Sequence, residues 1–356
     1  MNVRQALLIG ILGLVGGALL YREYYRKKAL KDYEILASDG LDEEKVIEIN
    51  GIKQWLSIRG QHVNHPIILF VHGGPGSPMT PMIYKYQKYL EDEYTIVNWE
   101  QRNTGRTYFL NKAKETEIQK KLCIEQYVDD IYEVVTYLKE TYKKDIIIMG
   151  HSWGSTIGAL FVKQHPELVK AYIGIGQNLC INEGEKLIVK ETLKVVSGKD
   201  KAAYLKVVND EDSLTFGHEK FNPKNFGKHR AISGHYLMKG VVSNAALVKM
   251  TLLSPFYSLK DIRWFFMNNL KLQAPLLAEL GQRDLREEIL QYEVPVIFIS
   301  GDKDWVTPYP MVNAYYESIE APYKKMILIH QAGHCPMLDH PIQFAKEVKQ
   351  ALKIIG

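Results

Sequence analysis

The chain has 356 residues, of which 46% are hydrophobic and 24% are charged. This composition is typical of a folded globular protein and excludes a disordered or fibrous one. The formal net charge of +4 is local, because residues 1–31 contain six basic residues and one acidic residue, whereas the rest of the chain has 39 basic and 40 acidic residues. Nucleic-acid binding by the folded body is therefore not expected. The three cysteines have no metal-ligand spacing and predict no disulfide framework.

The N-terminal segment predicts a membrane anchor. Residues 6–20 are apolar and uncharged, and the basic, aromatic sequence YREYYRKK follows them. As a helix this run would cover roughly 23 Å, short for a hydrocarbon core of ~30 Å, although interfacial tyrosines would lengthen the effective span. The heavier basic flank lies after the run, which favours an uncleaved anchor over a signal peptide or a soluble extension. We therefore predict an anchor and basic flank over residues 1–35, in the cell membrane, with the catalytic body on the cytoplasmic side.

Strand and helix patterns then alternate along the chain. Two alternating segments around Asn50-Gly51 predict an antiparallel hairpin. Continuous apolar runs predict buried strands at 66–72, 94–100, 145–150, 171–176, 293–301 and 324–330, and helical periodicity predicts helices around 84–90, over 124–142 and over 341–353. This alternation predicts an α/β fold with a mostly parallel central sheet flanked by helices.

The alternation stops over residues 179–289. This stretch contains long helical patterns, such as 185–196 and 275–290, and no convincing buried strand. We predict an inserted α-helical cap at 179–289, with the α/β core formed by residues 36–178 and 290–356.

A nucleophile is predicted where the strand at 145–150 ends. The sequence Gly150-His-Ser-Trp-Gly154 follows that strand and precedes an uninterrupted helical segment, which is the order that a nucleophile elbow requires. Glycines flank the turn because the strand and helix backbones approach too closely there for side chains. Ser152 at the apex is the candidate nucleophile.

A serine nucleophile needs a base, and the base needs a carboxylate that fixes its tautomer. His334 follows the strand at 324–330, and Asp302 and Asp304 follow the strand at 293–301. Their position after the strand favours Asp304 over Asp302. A metal site formed by three histidines is disfavoured because Gly333 and Pro336 argue against a helix there, so no metal or cofactor is predicted; the histidines concerned are His330, His334 and His340.

The reaction also needs donors for the developing oxyanion. The glycine-rich sequence His72-Gly-Gly-Pro-Gly76 follows the strand at 66–72, where backbone N–H groups can approach a substrate. We predict the backbone N–H groups of Gly74 and Trp153 as the two donors.

Together these four motifs resemble the proline iminopeptidase branch of the α/β-hydrolase superfamily, over about residues 45–178 and 290–356. The resemblance implies Ser152, Asp304 and His334 as a catalytic triad, Gly74 and Trp153 as the oxyanion hole, and a helical cap. A family run of Asp-Gln-Arg-Gly-x-Gly-Arg-Ser reads Glu100-Gln-Arg-Asn-Thr-Gly-Arg-Thr107 here, with Asn103, a residue tolerant of positive φ, in place of the first glycine.

The resemblance implies a serine hydrolase with an acyl-enzyme intermediate, and the leading activity is release of an N-terminal residue from a small or short-peptide substrate. In that branch cap carboxylates bind the free α-amine, and Glu183 and Glu185 are the candidates here, against the reading that both are solvated helix charges. A carboxylesterase or lipid-directed acyl hydrolase is the alternative, and a non-catalytic binding module is a remote one. The esterase alternative draws on the anchor and on aromatic residues of the cap, which are Phe256, Tyr257, Trp264, Phe265 and Phe266. The sequence carries no signal for an oligomeric state.

Overall fold

The computed structural model describes residues 3–267 and 269–356, with side chains described for residues 14–267 and 272–356. The strands are β1 (Leu41–Ile49), β2 (Ile52–Gly60), β3 (Ile67–Val71), β4 (Thr95–Glu100), β5 (Ile146–His151), β6 (Ala171–Ile175), β7 (Val296–Gly301) and β8 (Lys324–Ile329). The helices before β6 and after β7 are α1 (Val3–Lys31), α2 (Gly105–Leu110), α3 (Glu115–Lys120), α4 (Ile124–Tyr142), α5 (Trp153–Gln164), α13 (Tyr309–Ser318), α14 (Pro336–Asp339) and α15 (Pro341–Ile355). The segment between β6 and β7 contains α6 (Ile181–Val195), α7 (Gly198–Val208), α8 (Pro223–Leu237), α9 (Asn244–Leu252), α10 (Leu259–Met267), α11 (Asn269–Leu280) and α12 (Leu285–Glu288).

One sheet organises the described residues, with strand order β1-β2-β4-β3-β5-β6-β7-β8. The β1–β2 and β2–β4 pairs are antiparallel, and all the other pairs are parallel. The hairpin turns at Asn50-Gly51, where Ile49 pairs with Ile52, as predicted. The prediction of an α/β-hydrolase fold with a mostly parallel central sheet is confirmed.

Both faces of the sheet are covered, which explains the continuous apolar runs. The strands β3 to β7 are buried along their whole length. Successive residues point to opposite faces, so Ile146 and Ile148 of β5 join the core cluster beneath α4 and α5, whereas Ile147 and Met149 join the one beneath α15. The parallel strands therefore all end at one edge of the sheet, and loops at that edge can bring distant residues together.

Two helical predictions differ from the structure. The pattern around 84–90 forms two short 3₁₀ helices, Ile83–Lys85 and Gln87–Tyr89, whose buried residues pack on the sheet. The pattern over 275–290 is split into α11 and α12, because Asp284 caps the start of α12 by accepting a hydrogen bond from the Arg286 backbone N–H. No strand occurs in the described residues between 179 and 289.

The predicted anchor lies in α1. Residues 6–13 of the predicted run have no described side chains, and the described part of the chain contains no helix that is long and apolar enough to cross a membrane. The membrane-spanning prediction is therefore not supported by the described residues. The second half of α1 lies on the body of the protein, because Arg22 donates hydrogen bonds to the backbone carbonyls of Leu252 and Tyr257 at 2.9 and 2.6 Å, and Arg26 donates to that of Pro255 at 2.9 Å.

Candidate active site

The turn between β5 and α5 places Ser152 at a sharp apex. Its backbone has φ 55° and ψ −121°, a conformation that L-residues rarely adopt and that costs of order 1–3 kcal/mol. A Cβ atom on Gly150 would lie 2.5 Å from the carbonyl oxygen of Gly154, and one on Gly154 would overlap the carbonyl oxygen of Val71. Both glycines are therefore required by the close approach of α5 to the ends of β3 and β5, as predicted for a nucleophile elbow.

His334 and Asp304 meet beside this turn. The Nδ1 of His334 lies 3.0 Å from Oδ2 of Asp304, in the loops that follow β8 and β7. The backbone carbonyl of His334 accepts a hydrogen bond of 2.8 Å from Nε2 of His151, the residue before Ser152. The His334 loop is thus tied directly to the elbow.

The Asp304 carboxylate is fully buried and held in its ionised form. Its Oδ1 accepts hydrogen bonds from the backbone N–H groups of Val306 and Thr307 at 2.9 and 3.0 Å, and its Oδ2 accepts one from the Thr307 hydroxyl at 2.9 Å. Burial by itself would raise the pKa of Asp304, but the charge of His334 and these hydrogen bonds lower it below its ordinary value. A buried carboxylate with this donor set can orient an imidazole and stabilise its protonated form.

Asp302 and the other histidines lie elsewhere. Asp302 faces the exposed His330 at 3.2 Å, and His340 contacts the Gln331 carbonyl at 3.2 Å. Asp304 and not Asp302 is therefore the carboxylate beside His334. Among the residues with described side chains, no group of three or more His, Cys, Asp or Glu is arranged to hold a metal ion.

The glycine-rich loop after β3 lies against the elbow. Gly74 has φ 119°, and it lines the same cavity as Ser152 and Trp153. A Cβ atom on Gly73 would lie 3.0 Å from Cβ of Ser152, so a side chain there would push the loop and the elbow apart by a few tenths of an ångström. The predicted oxyanion residues and the predicted nucleophile thus share one cavity.

Gln101 links the loop to the elbow, and no functional role was predicted for it. Its Nε2 donates to the His72 carbonyl at 3.0 Å, and its Oε1 accepts from the indole N–H of Trp153 at 3.0 Å. Burial lowers the pKa of His72 to about 4, so its neutral ring donates from Nδ1 to the Gly73 carbonyl at 2.9 Å and accepts from the Gln101 backbone N–H at 3.3 Å. Asn103, in the same run, has φ 57°, which confirms the expected positive φ.

The cavity at Ser152 has a volume of about 300 Å³ and is mainly apolar. Its lining residues are Gly74, Ser152, Trp153, Asn178, Ile181, Phe216, Phe226, Arg230, Leu277, Leu280, Val306 and Thr307. The aromatic residues proposed from the sequence do not line it, since Tyr257 and Trp264 are buried in packing contacts and Phe266 faces solvent. The aromatic wall comes from Phe216 and Phe226, which periodicity did not distinguish from core residues.

The two candidate amine ligands do not line this cavity. Glu183 is partly exposed and pairs with Lys186 at 2.7 Å. Glu185 is buried, and its two oxygens contact Arg230 and His229. Arg230, which was not singled out from the sequence, lines the cavity in their place.

The fold and the residues gathered at this edge of the sheet define the class of protein as an α/β-hydrolase. The family model described as serine aminopeptidase, S33, matches residues 91–341, more than half of the chain. The chain belongs to this family. It is therefore a hydrolase, and the alternative of a non-catalytic binding module is not supported.

Individual relatives agree with the predicted resemblance. A protein described as a probable aminopeptidase, YbaC of Bacillus subtilis (strain 168), is 27% identical over 310 residues, which cover 86% of this chain and 95% of that protein. The proline iminopeptidase of Neisseria gonorrhoeae is 24% identical over 302 residues, which cover 79% and 88% of the two chains. The crystal structure of a Mycobacterium smegmatis proline iminopeptidase is similar in fold, with a TM-score of 0.62 at 16% identity over 88% of this chain and 98% of that one.

The two aspartates after β7 provide a matched test of the acid. Asp304→Asn is expected to lower kcat roughly 10⁴-fold, because an amide cannot hold the histidine in the required tautomer. Asp302→Asn, two residues away, is expected to change kcat by less than about threefold, since Asp302 faces only the exposed His330. Steady-state hydrolysis of p-nitrophenyl acetate by both variants measures this, and equal losses in the two variants would contradict the assignment.

Proposed function

We propose that the protein is an aminopeptidase that releases the N-terminal residue, proline among its substrates, from short peptides through an acyl-enzyme. The observation that carries the proposal is the 3.0 Å contact between His334 and the buried Asp304, on a loop bonded to the elbow that presents Ser152. Membership of the serine aminopeptidase family supports the same activity.

Each proposed group has one chemical task. The Ser152 hydroxyl attacks the scissile carbonyl carbon while its proton passes to Nε2 of His334, and Asp304 stabilises the resulting imidazolium. The backbone N–H groups of Gly74 and Trp153 stabilise the tetrahedral oxyanion. Its collapse expels the amine of the shortened peptide, which takes the proton from His334, and a water molecule then releases the acyl group by the same steps in the second half of the reaction.

An esterase activity is the second candidate. The cavity at Ser152 is lined mainly by apolar side chains, and in the described part of the chain no carboxylate lines it. An acyl chain would bury apolar area against Phe216, Phe226 and Leu277 without needing an amine ligand. The role of Glu183 or Glu185 in binding an α-amine stays a prediction.

Recognition of the free amine separates the two activities. We expect the enzyme to hydrolyse L-proline 4-nitroanilide and to lose at least about tenfold in kcat/KM on its N-acetylated form, because acetylation removes the charged hydrogen-bond donor. The rate of hydrolysis of short p-nitrophenyl esters, measured with the same preparation, shows whether the enzyme is active on substrates that have no amine. Equal rates on the free and acetylated anilides, or ester hydrolysis without anilide hydrolysis, would favour the esterase.

We also propose that residues 6–20 attach the protein to the cell membrane, with the catalytic body in the cytoplasm. The uncharged apolar run and the basic flank that follows it support this arrangement. The contacts of Arg22 and Arg26 with the body would then hold the catalytic unit close to the membrane surface.

A deletion that spares those arginines tests the attachment. The full-length protein is expected in the membrane pellet of lysed cells after a high-salt wash, and release should require detergent. A variant lacking residues 2–20 retains Arg22 and Arg26 and is expected in the supernatant. Full-length protein that remains in the supernatant would contradict the proposal.

A further inference from the structure

Arg230 is the charged side chain at the cavity that contains Ser152. It lies on α8, and no other Arg, Lys, Asp or Glu lines this cavity in the described part of the chain. The remaining walls are apolar side chains, the Asn178 amide and a few hydroxyl and backbone groups. A cation in a mainly apolar cavity favours a negatively charged ligand group over a positively charged one, because the low dielectric constant strengthens electrostatic attraction and repulsion.

The guanidinium is held in place by its surroundings. Its NH1 donates to the backbone carbonyl of Trp305 at 2.9 Å, and its NH2 contacts both Glu185 and the Val306 carbonyl. Trp305 and Val306 belong to the loop that also carries Asp304. Arg230 is therefore fixed relative to the catalytic carboxylate, whereas its Nε has no hydrogen-bond partner among the described residues.

Glu185 holds Arg230 and does not line the cavity. Its second oxygen pairs with Nε2 of His229 at 2.9 Å, and Nδ1 of His229 contacts the Tyr204 hydroxyl at 2.9 Å. Both carboxylate oxygens are thus engaged inside the helical insertion. A substrate ammonium group at this wall would face a guanidinium, whereas a carboxylate would find a cation whose Nε donor has no partner among the described residues.

We propose that Arg230 binds the C-terminal carboxylate of a dipeptide or tripeptide substrate, so that the enzyme acts on very short peptides with a free C-terminus. This inference rests on the proposed aminopeptidase activity and adds the leaving-group side of the substrate to it. A cavity of about 300 Å³ lies at the small end for ligand sites, and this size agrees with a substrate of two or three residues.

Two peptides that differ only at the C-terminus test the proposal. The wild-type enzyme is expected to cleave L-Pro-L-Ala with a kcat/KM about 10- to 100-fold higher than that for L-Pro-L-Ala-amide, the range for a charge-assisted hydrogen bond. Arg230→Gln is expected to bring this ratio close to one, and Arg230→Lys to give an intermediate ratio, because lysine keeps the charge but cannot place a donor at the position of the Arg230 Nε. Lys186→Gln, on the exposed face of α6, is the matched control and should leave the ratio as in the wild type.

Substitution of Arg230 alone leaves the buried Glu185 carboxylate without its guanidinium partner and could destabilise the fold. A second variant is therefore needed as a control. The double variant Glu185→Gln with Arg230→Gln removes both charges, and its ratio is expected to be close to one as well. Thermal denaturation shows which variants are folded. The ratio of kcat/KM for the free peptide to that for the amide is compared among the folded variants only.

The possible results separate this inference from the function on which it rests. Hydrolysis of L-proline 4-nitroanilide with equal rates on the two peptides would overturn carboxylate recognition and leave the aminopeptidase proposal standing. A wild-type ratio that persists in the folded Arg230 variants would overturn the role of Arg230. No cleavage of either peptide or of the anilide, with ester hydrolysis intact, would overturn the aminopeptidase proposal and this inference together.

Discussion

The close approach of α5 to the ends of β3 and β5 is the constraint on which the candidate site depends. Helix and strand can meet at this distance only because Gly150 and Gly154 have no side chains. The cost is a backbone at Ser152 that L-residues rarely adopt, and the surrounding core offsets it, since β5 and the first helical turn are buried throughout. The same approach brings the Gly73–Gly74 backbone next to Ser152, so one packing contact positions both the proposed nucleophile and the proposed oxyanion donors.

Hydrogen bonds then fix the remaining groups to this contact. Gln101 joins the glycine-rich loop to Trp153 by two hydrogen bonds. On the other side of the elbow, the His334 carbonyl accepts a hydrogen bond from the ring of His151. Burial, together with the nearby charge of His334, lowers the pKa of His151 to about 3, which keeps this ring neutral as a hydrogen-bond donor. Buried neutral groups thus set the geometry of the site, and the buried carboxylate of Asp304 contacts the ring of His334.

The helical insertion between β6 and β7 supplies the chemistry that the core lacks. The core carries the residues proposed to attack a carbonyl, which are Ser152, Asp304 and His334. The insertion adds the apolar wall of Phe216 and Phe226 and the cation Arg230, held by Glu185. We therefore expect substrate selection to depend on the helical insertion. The attack on the substrate is expected to depend on the residues that follow the strand ends.

The parts of the molecule that were predictable from sequence are those with a local signature. Buried parallel strands read as apolar runs, and the elbow requires glycines at fixed spacing, so β3 to β8 and the order Ser152, Asp304, His334 along the chain could be derived. The pairing of Arg230 with Glu185 could not, because a charged residue on an amphipathic helix has the same pattern whether it faces solvent, a cavity or another charge. The linking role of Gln101 could not be predicted either, because its partners, His72 and Trp153, are 29 and 52 residues away in the sequence. The exclusion of Tyr257 and Trp264 from the cavity depends on tertiary packing that periodicity does not encode.

The central claim is that Ser152 is the nucleophile, and covalent labelling with a fluorophosphonate probe tests it most directly. The probe phosphonylates activated serines, and mass spectrometry of the digested protein locates the adduct. We expect one adduct, on the peptide containing Ser152 in the wild-type protein, and none in a folded Ser152→Ala variant. Labelling that persists in that variant, or an adduct on another serine of the wild-type protein, would contradict the claim.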